Sequence, residues 1–190
     1  MSKPRIIVGI SGASGAIYGV TLLDILRKVE VETHLVVSKS GELTLAAETG
    51  LKLKDLESRA THIHPVKNVG ATIASGSFKT MGMIIAPCSI RTASEISSGI
   101  TASLLTRAAD VILKERRRLV LMVRETPLHL GHLRTLTQLA EMGAIVAPPL
   151  PAFYAAPDSI DAMVRQSLGR VLDLFDIETD IVRWSGLAPS

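Results

Sequence analysis

The sequence has 190 residues, of which 47% are hydrophobic and 21% charged, a composition that excludes intrinsic disorder and suits one domain spanning residues 1–190. The net charge is only +3 and 3% of the residues are aromatic, so neither a polyanionic partner nor a stacking platform for nucleic acid is indicated. No apolar run suits a membrane span, no signal peptide precedes the first predicted strand, and the single cysteine cannot form an internal disulfide, so we expect a cytoplasmic protein.

The first part of the chain has the pattern of a βαβ unit, which requires a parallel sheet. Arg5–Ile10 is a short apolar run rich in β-branched residues and predicts a buried strand that ends at a turn of small residues. Apolar residues recur at helical spacing over residues 17–29, and residues 32–37 return to a strand pattern. We expect Ser40 to cap a helix over residues 41–49.

The rest of the chain continues the alternation of strands and helices, apart from residues 50–76, which receive no assignment. The pattern indicates a doubly wound parallel sheet, in which ligands bind beyond the carboxyl ends of the strands. The predicted strands are residues 83–86, which Pro87-Cys88-Ser89 closes, 119–123 and 144–147. One predicted helix begins at Ser89, and three others cover residues 101–117, residues from Thr126-Pro127 through 142, and residues 159–175.

The glycine-rich turn after the first strand is a candidate binding site. Gly9, Gly12 and Gly15 stand three residues apart, which differs from the dinucleotide fingerprint, and no acidic residue ends the second strand, so NAD is disfavoured. The backbone N–H groups of the turn and the Ser11 and Ser14 hydroxyls suit a phosphate or the edge of a flavin.

Several charged residues are candidates for binding an anion. Arg124 ends a predicted buried strand at the ligand edge, where an arginine usually binds an anion. Glu125 is equally compatible with an acid/base role and with an ion pair to Arg124. Arg107 and Lys114 lie seven residues apart on nearly the same helix face, a spacing that solvation alone would also explain.

The histidines and the cysteine give no sign of a metal site or a nucleophile. His129 and His132 would share a helix face, but no third ligand stands at a supporting spacing, and we interpret His62 and His64 in the same way. Cys88 follows a predicted strand and has no assignable histidine partner, so burial is favoured over catalysis.

Four segments, which together cover nearly the whole chain in order, resemble the UbiX-type flavin prenyltransferase family. The third segment is highly specific. One departure is that some members carry a Trp before the Pro-Cys-Ser turn, where this chain reads Ser77-Phe78-Lys79, and the only Trp is Trp184. The segments are GISGASGA (9–16), SGSFKTMGMIIAPCSIRT (75–92), LLTRAADVILKERRRLVLMVRETPLHLGHL (104–133) and PPLPAFY (148–154).

The resemblance implies a Rossmann-like, three-layer α/β/α flavoprotein fold and a homododecamer with FMN near subunit interfaces. It implies transfer of a dimethylallyl group from dimethylallyl monophosphate to reduced FMN, with release of phosphate. The prenylated FMN would serve a separate UbiD-type decarboxylase, in ubiquinone biosynthesis among other pathways. No metal is expected for the transfer, because protein cations would stabilise the phosphate and no carboxylate-rich motif is present.

Two alternatives to prenyl transfer stay open: a flavin-dependent decarboxylase, and an FMN-binding protein without turnover, although Arg107, Lys114 and Arg170 exceed what one FMN phosphate requires.

The resemblance also implies roles for individual residues. The implied FMN contacts are Gly12, Ala13, Ser14, Ser38, Ser89, Ile90, Arg91, Thr92 and Arg124; the implied catalytic residues are Ser14, Glu48, Lys114 and Glu125; and the implied substrate contacts are Arg107, Lys114, Arg124, Tyr154 and Arg170.

Overall fold

Six parallel strands form one sheet in the order β3-β2-β1-β4-β5-β6. The chain therefore starts in the middle of the sheet and winds outward in both directions, which confirms the predicted doubly wound topology. The computed structural model describes residues 3–186, and its strands are β1 (Arg5–Ile10), β2 (Glu32–Val37), β3 (His62–His64), β4 (Gly82–Cys88), β5 (Arg118–Val123) and β6 (Ile145–Val146).

Helices pack on both faces of this sheet. On one face, Gly19 of the first helix lies against Ile10 of β1, and on the other face Leu105 of the fourth helix lies against Gly9. These contacts give the expected three-layer α/β/α arrangement. The helices are α1 (Ala16–Lys28), α2 (Lys39–Thr49), α3 (Ile90–Ser97), α4 (Leu104–Lys114), α5 (Leu130–Glu141) and α6 (Ile160–Asp173), with short 3-10 turns at Leu53–Leu56, Thr72–Ala74 and Phe153–Ala155.

The central strands are buried on both faces, which explains why they read as unbroken apolar runs instead of alternating ones. In β1, Ile6, Ile7, Val8 and Ile10 are each at most 1% exposed. The same burial of β4 and β5 builds a core with α4, so strand identity in the centre of the sheet is set by hydrophobic burial.

Three predicted element boundaries are wrong, and each error concerns a cap or a turn. Ser38, not Ser40, caps α2, because the Ser38 hydroxyl accepts a hydrogen bond from the Gly41 N–H at 3.0 Å. The predicted helix over residues 101–117 begins only at Leu104, after the Ser103 cap, and ends at Lys114. The helix predicted from Thr126-Pro127 begins instead at Leu130, and His129 is its N-cap.

Two further differences concern strands. Residues 50–76, which received no assignment, contain the edge strand β3, whose three residues are too few to produce a recognisable pattern. The strand predicted to close at Ala86 continues through the cis Ala86–Pro87 bond to Cys88.

The chain divides into two compact units, the second of which begins at Pro149. Within this second unit, the Gln166 side-chain amide donates a hydrogen bond to the Val182 carbonyl at 2.7 Å and accepts one from the Val182 N–H at 3.1 Å. The rings of Tyr154 and Trp184 meet edge to face with centroids 5.7 Å apart. The amide contacts tie the C-terminal segment to α6, and the ring contact ties it to the turn at Phe153–Ala155.

Across residues 3–186, no helix is both long enough and apolar enough to cross a lipid bilayer.

Candidate functional site

A cavity of about 270 Å³ opens at the carboxyl edge of the sheet, around the ends of β1, β2 and β4. This is the crevice that a doubly wound sheet creates where its winding direction reverses. Five of the nine implied FMN contacts line it, namely Gly12, Ser38, Ser89, Arg91 and Thr92, and its other lining residues are Lys39, Ser40, Val66, Lys67, Glu95, Ala102, Ser103 and Leu105.

The N-termini of three helices meet at this cavity. Ser38, Ser89 and Ser103 cap α2, α3 and α4, each accepting a hydrogen bond from the backbone N–H three residues later, at 3.0, 3.2 and 3.3 Å. Helix N-termini carry partial positive charge and unpaired N–H groups, and both favour an anion. The cavity is therefore built to receive a negatively charged group such as a phosphate.

Three cationic side chains add to this positive potential. Arg91 is exposed and pairs with Glu95 at 2.9 Å, while Lys39 and Lys67 also line the cavity. Neither lysine is among the residues expected from the sequence. Lys39 directly follows Ser38 at the end of a predicted strand, a position that could have indicated it, whereas Lys67 lies in the segment without an assigned element.

The glycine turn after β1 packs directly against the start of α2. A Cβ at Gly12 would stand 2.3 Å from the Cβ of Ser40, so only glycine fits there. The predicted ligand role of Ser11 is wrong, because its buried hydroxyl donates to the Pro87 carbonyl at 3.0 Å and accepts from the Ser89 N–H at 2.7 Å. Ser11 instead links the turns that follow β1 and β4.

The N-terminus of α1 is closed by a carboxylate from α2. Glu48 Oε2 accepts hydrogen bonds from the Gly15 and Ala16 N–H groups at 2.8 and 2.9 Å, and the Ser14 hydroxyl also hydrogen-bonds to it. Burial alone would raise the pKa of Glu48, but these hydrogen bonds and the charge of Arg124 outweigh it and hold the pKa below its usual value. Glu48 is therefore ionised at neutral pH, and it accepts hydrogen bonds from the N-terminal amides of α1 that would otherwise face a ligand.

Arg124 and Glu125 follow β5 at the same edge of the sheet. The Arg124 N–H donates to the Cys88 carbonyl at 3.0 Å, and the exposed guanidinium forms no hydrogen bond with the rest of the described chain. The Glu125 carboxylate accepts a hydrogen bond from the Thr126 N–H at 3.1 Å. An Arg124–Glu125 ion pair, one of the two interpretations left open by the sequence, is not formed between these described residues.

Lys114 lies at the opposite end of the sheet from Arg124 within one chain. Its ammonium donates a hydrogen bond to Glu115 at 2.5 Å and stands close to Gly76. Arg117, the last residue before β5, donates a hydrogen bond to the Gly76 carbonyl. Arg124 follows the other end of β5, and six strand residues span about 20 Å. A single chain therefore does not bring Lys114 and Arg124 together.

The remaining implied substrate contacts stand elsewhere. Arg107, in the second turn of α4, pairs with Asp110 at 2.6 Å. Tyr154 and Arg170 belong to the second unit, where Arg170 pairs with Asp173 at 2.5 Å. Ala13 and Ile90 do not line the cavity but adjoin residues that do, and Ser14 is two residues from Gly12.

Cys88 is buried and chemically quiet. Burial raises the pKa of its thiol to about 12, so the thiolate that a nucleophile requires does not form at neutral pH. Phe78, which stands in the segment where some family members carry Trp, packs against His34 at the far end of β2 and does not line the cavity.

Comparisons with known proteins agree with this geometry. The Flavoprotein family model matches residues 1–174. The flavin prenyltransferase UbiX of Salmonella typhimurium is 58% identical over 186 residues, which cover 96% of this chain and 98% of that protein.

Two solved structures match nearly the full chain. The crystal structure of AnUbiX (PadA1) in complex with FMN and dimethylallyl pyrophosphate has a TM-score of 0.96 and 46% identity, covering 98% of this chain and 100% of that one. A dodecameric FMN-dependent Ubix-like decarboxylase from Escherichia coli O157:H7 has a TM-score of 0.93 and 46% identity, covering 96% and 100%. Fold, cavity and sequence therefore agree that this chain belongs to the Flavoprotein family and, within it, to the UbiX-type flavin prenyltransferases.

Proposed function

We propose that this protein transfers a dimethylallyl group from dimethylallyl monophosphate to reduced FMN, giving prenylated FMN and phosphate. The observation that carries the proposal is the cavity at the carboxyl edge, where three helix N-termini and three cations converge in a chain 58% identical to a flavin prenyltransferase. A simple flavin carrier would not need the further cations Arg107, Lys114 and Arg170.

We place the FMN phosphate at the N-termini of α2, α3 and α4. The Gly12 turn, the capping hydroxyls of Ser38 and Ser89, and Arg91 and Thr92 support this placement because they line the cavity. We also propose Ala13, Ser14, Ile90 and Arg124 as further FMN contacts: Ala13 and Ile90 adjoin that lining, Ser14 lies in the same glycine turn as Gly12, and Arg124 follows β5 at the same edge.

The protein's part in the transfer is to stabilise the leaving phosphate and to handle a proton. Reduced FMN supplies the electron-rich ring that takes the dimethylallyl group. Arg124, Arg107, Lys114, Tyr154 and Arg170 would bind the phosphate, and their positive charge matters most as the allylic carbon–oxygen bond breaks. In one chain Lys114 stands far from Arg124, so we propose that a second copy supplies it.

Two carboxylates at this edge receive different roles. Within residues 3–186, the Glu125 side chain accepts only a local N–H bond and is not engaged with Arg124, which leaves it able to take or hold a proton. Glu48 keeps the turn that bears Ser14 fixed against α1. We therefore propose that Glu48 and Ser14 act by positioning and orienting this part of the site.

The wider setting is also part of the proposal. The family model continues past Pro148 to residue 174, which supports a single flavin-binding domain over residues 1–190. The dodecameric neighbour supports a homododecamer. We further propose that the protein works in the cytoplasm and passes prenylated FMN to a UbiD-type decarboxylase, in ubiquinone biosynthesis or a related pathway.

The deciding experiment is anaerobic incubation of the protein with reduced FMN and either dimethylallyl monophosphate or the diphosphate, followed by mass analysis of the flavin. We expect a flavin heavier by one dimethylallyl group, and we expect the same yield in EDTA because protein cations stabilise the phosphate. An unmodified flavin with both donors would contradict the proposal. Carbon dioxide release from an aromatic acid by the isolated protein would favour the decarboxylase named for the Escherichia coli O157:H7 structure.

A further inference from the structure

A cluster of three metal-ligating side chains lies on β2 and β3, outside the candidate site. Glu32 and His34 are two residues apart on β2 and so face the same side of the sheet, and the strand register places His62 of β3 beside His34. Sequence spacing alone offers no third ligand for the histidines of β3. The missing ligands belong to the preceding strand, and only the sheet register brings them together.

The donor atoms of the cluster have the spacing of a metal site. Glu32 Oε1 lies 3.0 Å from His34 Nε2 and 3.5 Å from His62 Nε2, and all three donor atoms lie within 4.8 Å of one another. Zinc binds imidazole nitrogen at about 2.0 to 2.1 Å, which separates neighbouring ligands of a tetrahedral ion by about 3.3 Å. One ion can therefore contact all three atoms with small shifts.

Outer contacts orient two of the three inner ligands, His34 and Glu32. The second ring nitrogen of His34, Nδ1, lies 2.9 Å from His64 Nε2, and the second oxygen of Glu32, Oε2, accepts from Arg5 Nε at 3.0 Å. The Phe78 ring packs edge-on against His34, with centroids 4.9 Å apart. Metal-binding histidines and carboxylates commonly use their second atom in this way, which fixes the orientation of the first.

The cluster is reachable from solvent and distant from the flavin site. His34 is buried, whereas the side chain of His62 is 52% exposed and provides a path for an ion. Glu32 is the first residue of β2, and Ser38 of the cavity follows the last, so the two places are about 20 Å apart along the strand. An ion here would not take part in prenyl transfer.

We propose that Glu32, His34 and His62 bind one Zn²⁺ ion per chain, with water completing the coordination. Two imidazoles and a carboxylate form a donor set that suits zinc and excludes Mg²⁺ and Ca²⁺, which require mostly oxygen ligands. The ion would tie the short edge strand β3 to β2, where the backbone pairing covers only three residues.

The test is equilibrium dialysis of the untagged, chelator-treated full-length protein against micromolar ZnCl₂, with bound zinc measured by elemental mass spectrometry. We expect one zinc per chain, unchanged by excess Mg²⁺. His64→Ala removes only an outer contact and should weaken binding roughly 10- to 100-fold. His62→Ala removes an inner ligand at an exposed position and should weaken it further.

His132→Ala is the matched control, because His129 and His132 form the other close histidine pair, with ring centroids 3.5 Å apart. We expect this variant to bind zinc as the parent does. Circular dichroism and FMN binding by His62→Ala would show that the variant is folded. The proposal is overturned if the parent binds no zinc at micromolar concentration, if folded His62→Ala retains it, or if His132→Ala loses it.

Discussion

At the residue scale, Glu48 decides which helix N-termini are available to a ligand. Gly15, the N-cap of α1, has a left-handed backbone (φ 103°) and offers no capping side chain, so the carboxylate from α2 supplies the missing acceptor. The three helices that begin at the cavity are capped by small serine hydroxyls, which leave room beside them. The negative charge of Glu48 therefore stabilises α1 and directs an anionic ligand toward α2, α3 and α4.

We expect Glu48→Gln to lower the free energy of unfolding by up to about 1 kcal/mol at pH 7, because the amide keeps an acceptor oxygen but loses the negative charge that favours the N-terminus of α1. Because the folded-state pKa of Glu48 lies below its usual value, its contribution is present above pH 4.5 and is lost as the pH falls through the lowered folded-state pKa. Urea unfolding at neutral and at acidic pH should show the two proteins converging in acid. Glu141→Gln, at an exposed position of α5, is the control and should leave the free energy of unfolding unchanged at either pH. If Glu48→Gln and the parent differ in free energy of unfolding by the same amount at both pH values, the charge of Glu48 is not the cause.

At the element scale, α1 can approach the sheet closely only because Gly19 has no side chain. A Cβ there would stand 2.6 Å from the Ala86 carbonyl oxygen of β4 and equally close to Ile10 of β1. The carbonyl belongs to the backbone and cannot rotate away, so the whole helix would have to move. The close approach positions the N-terminus of α1, and with it the glycine turn, at the carboxyl edge.

Gly19→Ala should change the free energy of unfolding in two opposite ways, through helix propensity and through packing. Alanine favours a helix over glycine by about 1 kcal/mol, whereas overpacking a buried site costs about 1 to 3 kcal/mol. We expect a net loss of up to about 2 kcal/mol in the free energy of unfolding, measured by chemical denaturation. Gly70→Ala is the matched control, because the nearest atom to its Cβ would be 3.7 Å away, and it should leave stability unchanged. A more stable Gly19→Ala protein would show that α1 adjusts freely.

At the scale of the whole molecule, burial made the centre of the sheet predictable, and the edge strand β6 was also predicted, whereas the edge strand β3 was not. The strands β1, β2 and β5 have six residues each and end in an apolar run, and the turns that follow them could be assigned to one edge because parallel strands share it. In contrast, β3 has three residues, so Lys67 of the cavity and His62 of the metal cluster lay in a segment with no readable pattern. Contacts that depend on the register of neighbouring strands, or on another copy of the chain, leave no local signal in the sequence.

The last prediction tests whether the site is shared between copies. Replacing Lys114 or Arg124 by Ala should each slow prenyl transfer by about a hundredfold, the usual effect of removing one group that stabilises developing charge. If one copy supplies Lys114 and another supplies Arg124, co-assembling the two inactive variants in equal amounts should restore both residues at about a quarter of the sites. If both residues came from the same chain, every site would lack one of them and activity would stay low.

The mixture should therefore regain a measurable share of parental activity when the variants are co-refolded, and not when they are mixed after assembly. Each variant alone, taken through the same refolding and shown to bind FMN, is the control for misfolding. Because Lys114 lies beside the start of β5 and Arg124 beyond its end, no side-chain rotation within one chain can join them. Recovery requires a second chain, so low activity in a co-refolded oligomer that binds FMN would show that the shared site is wrong.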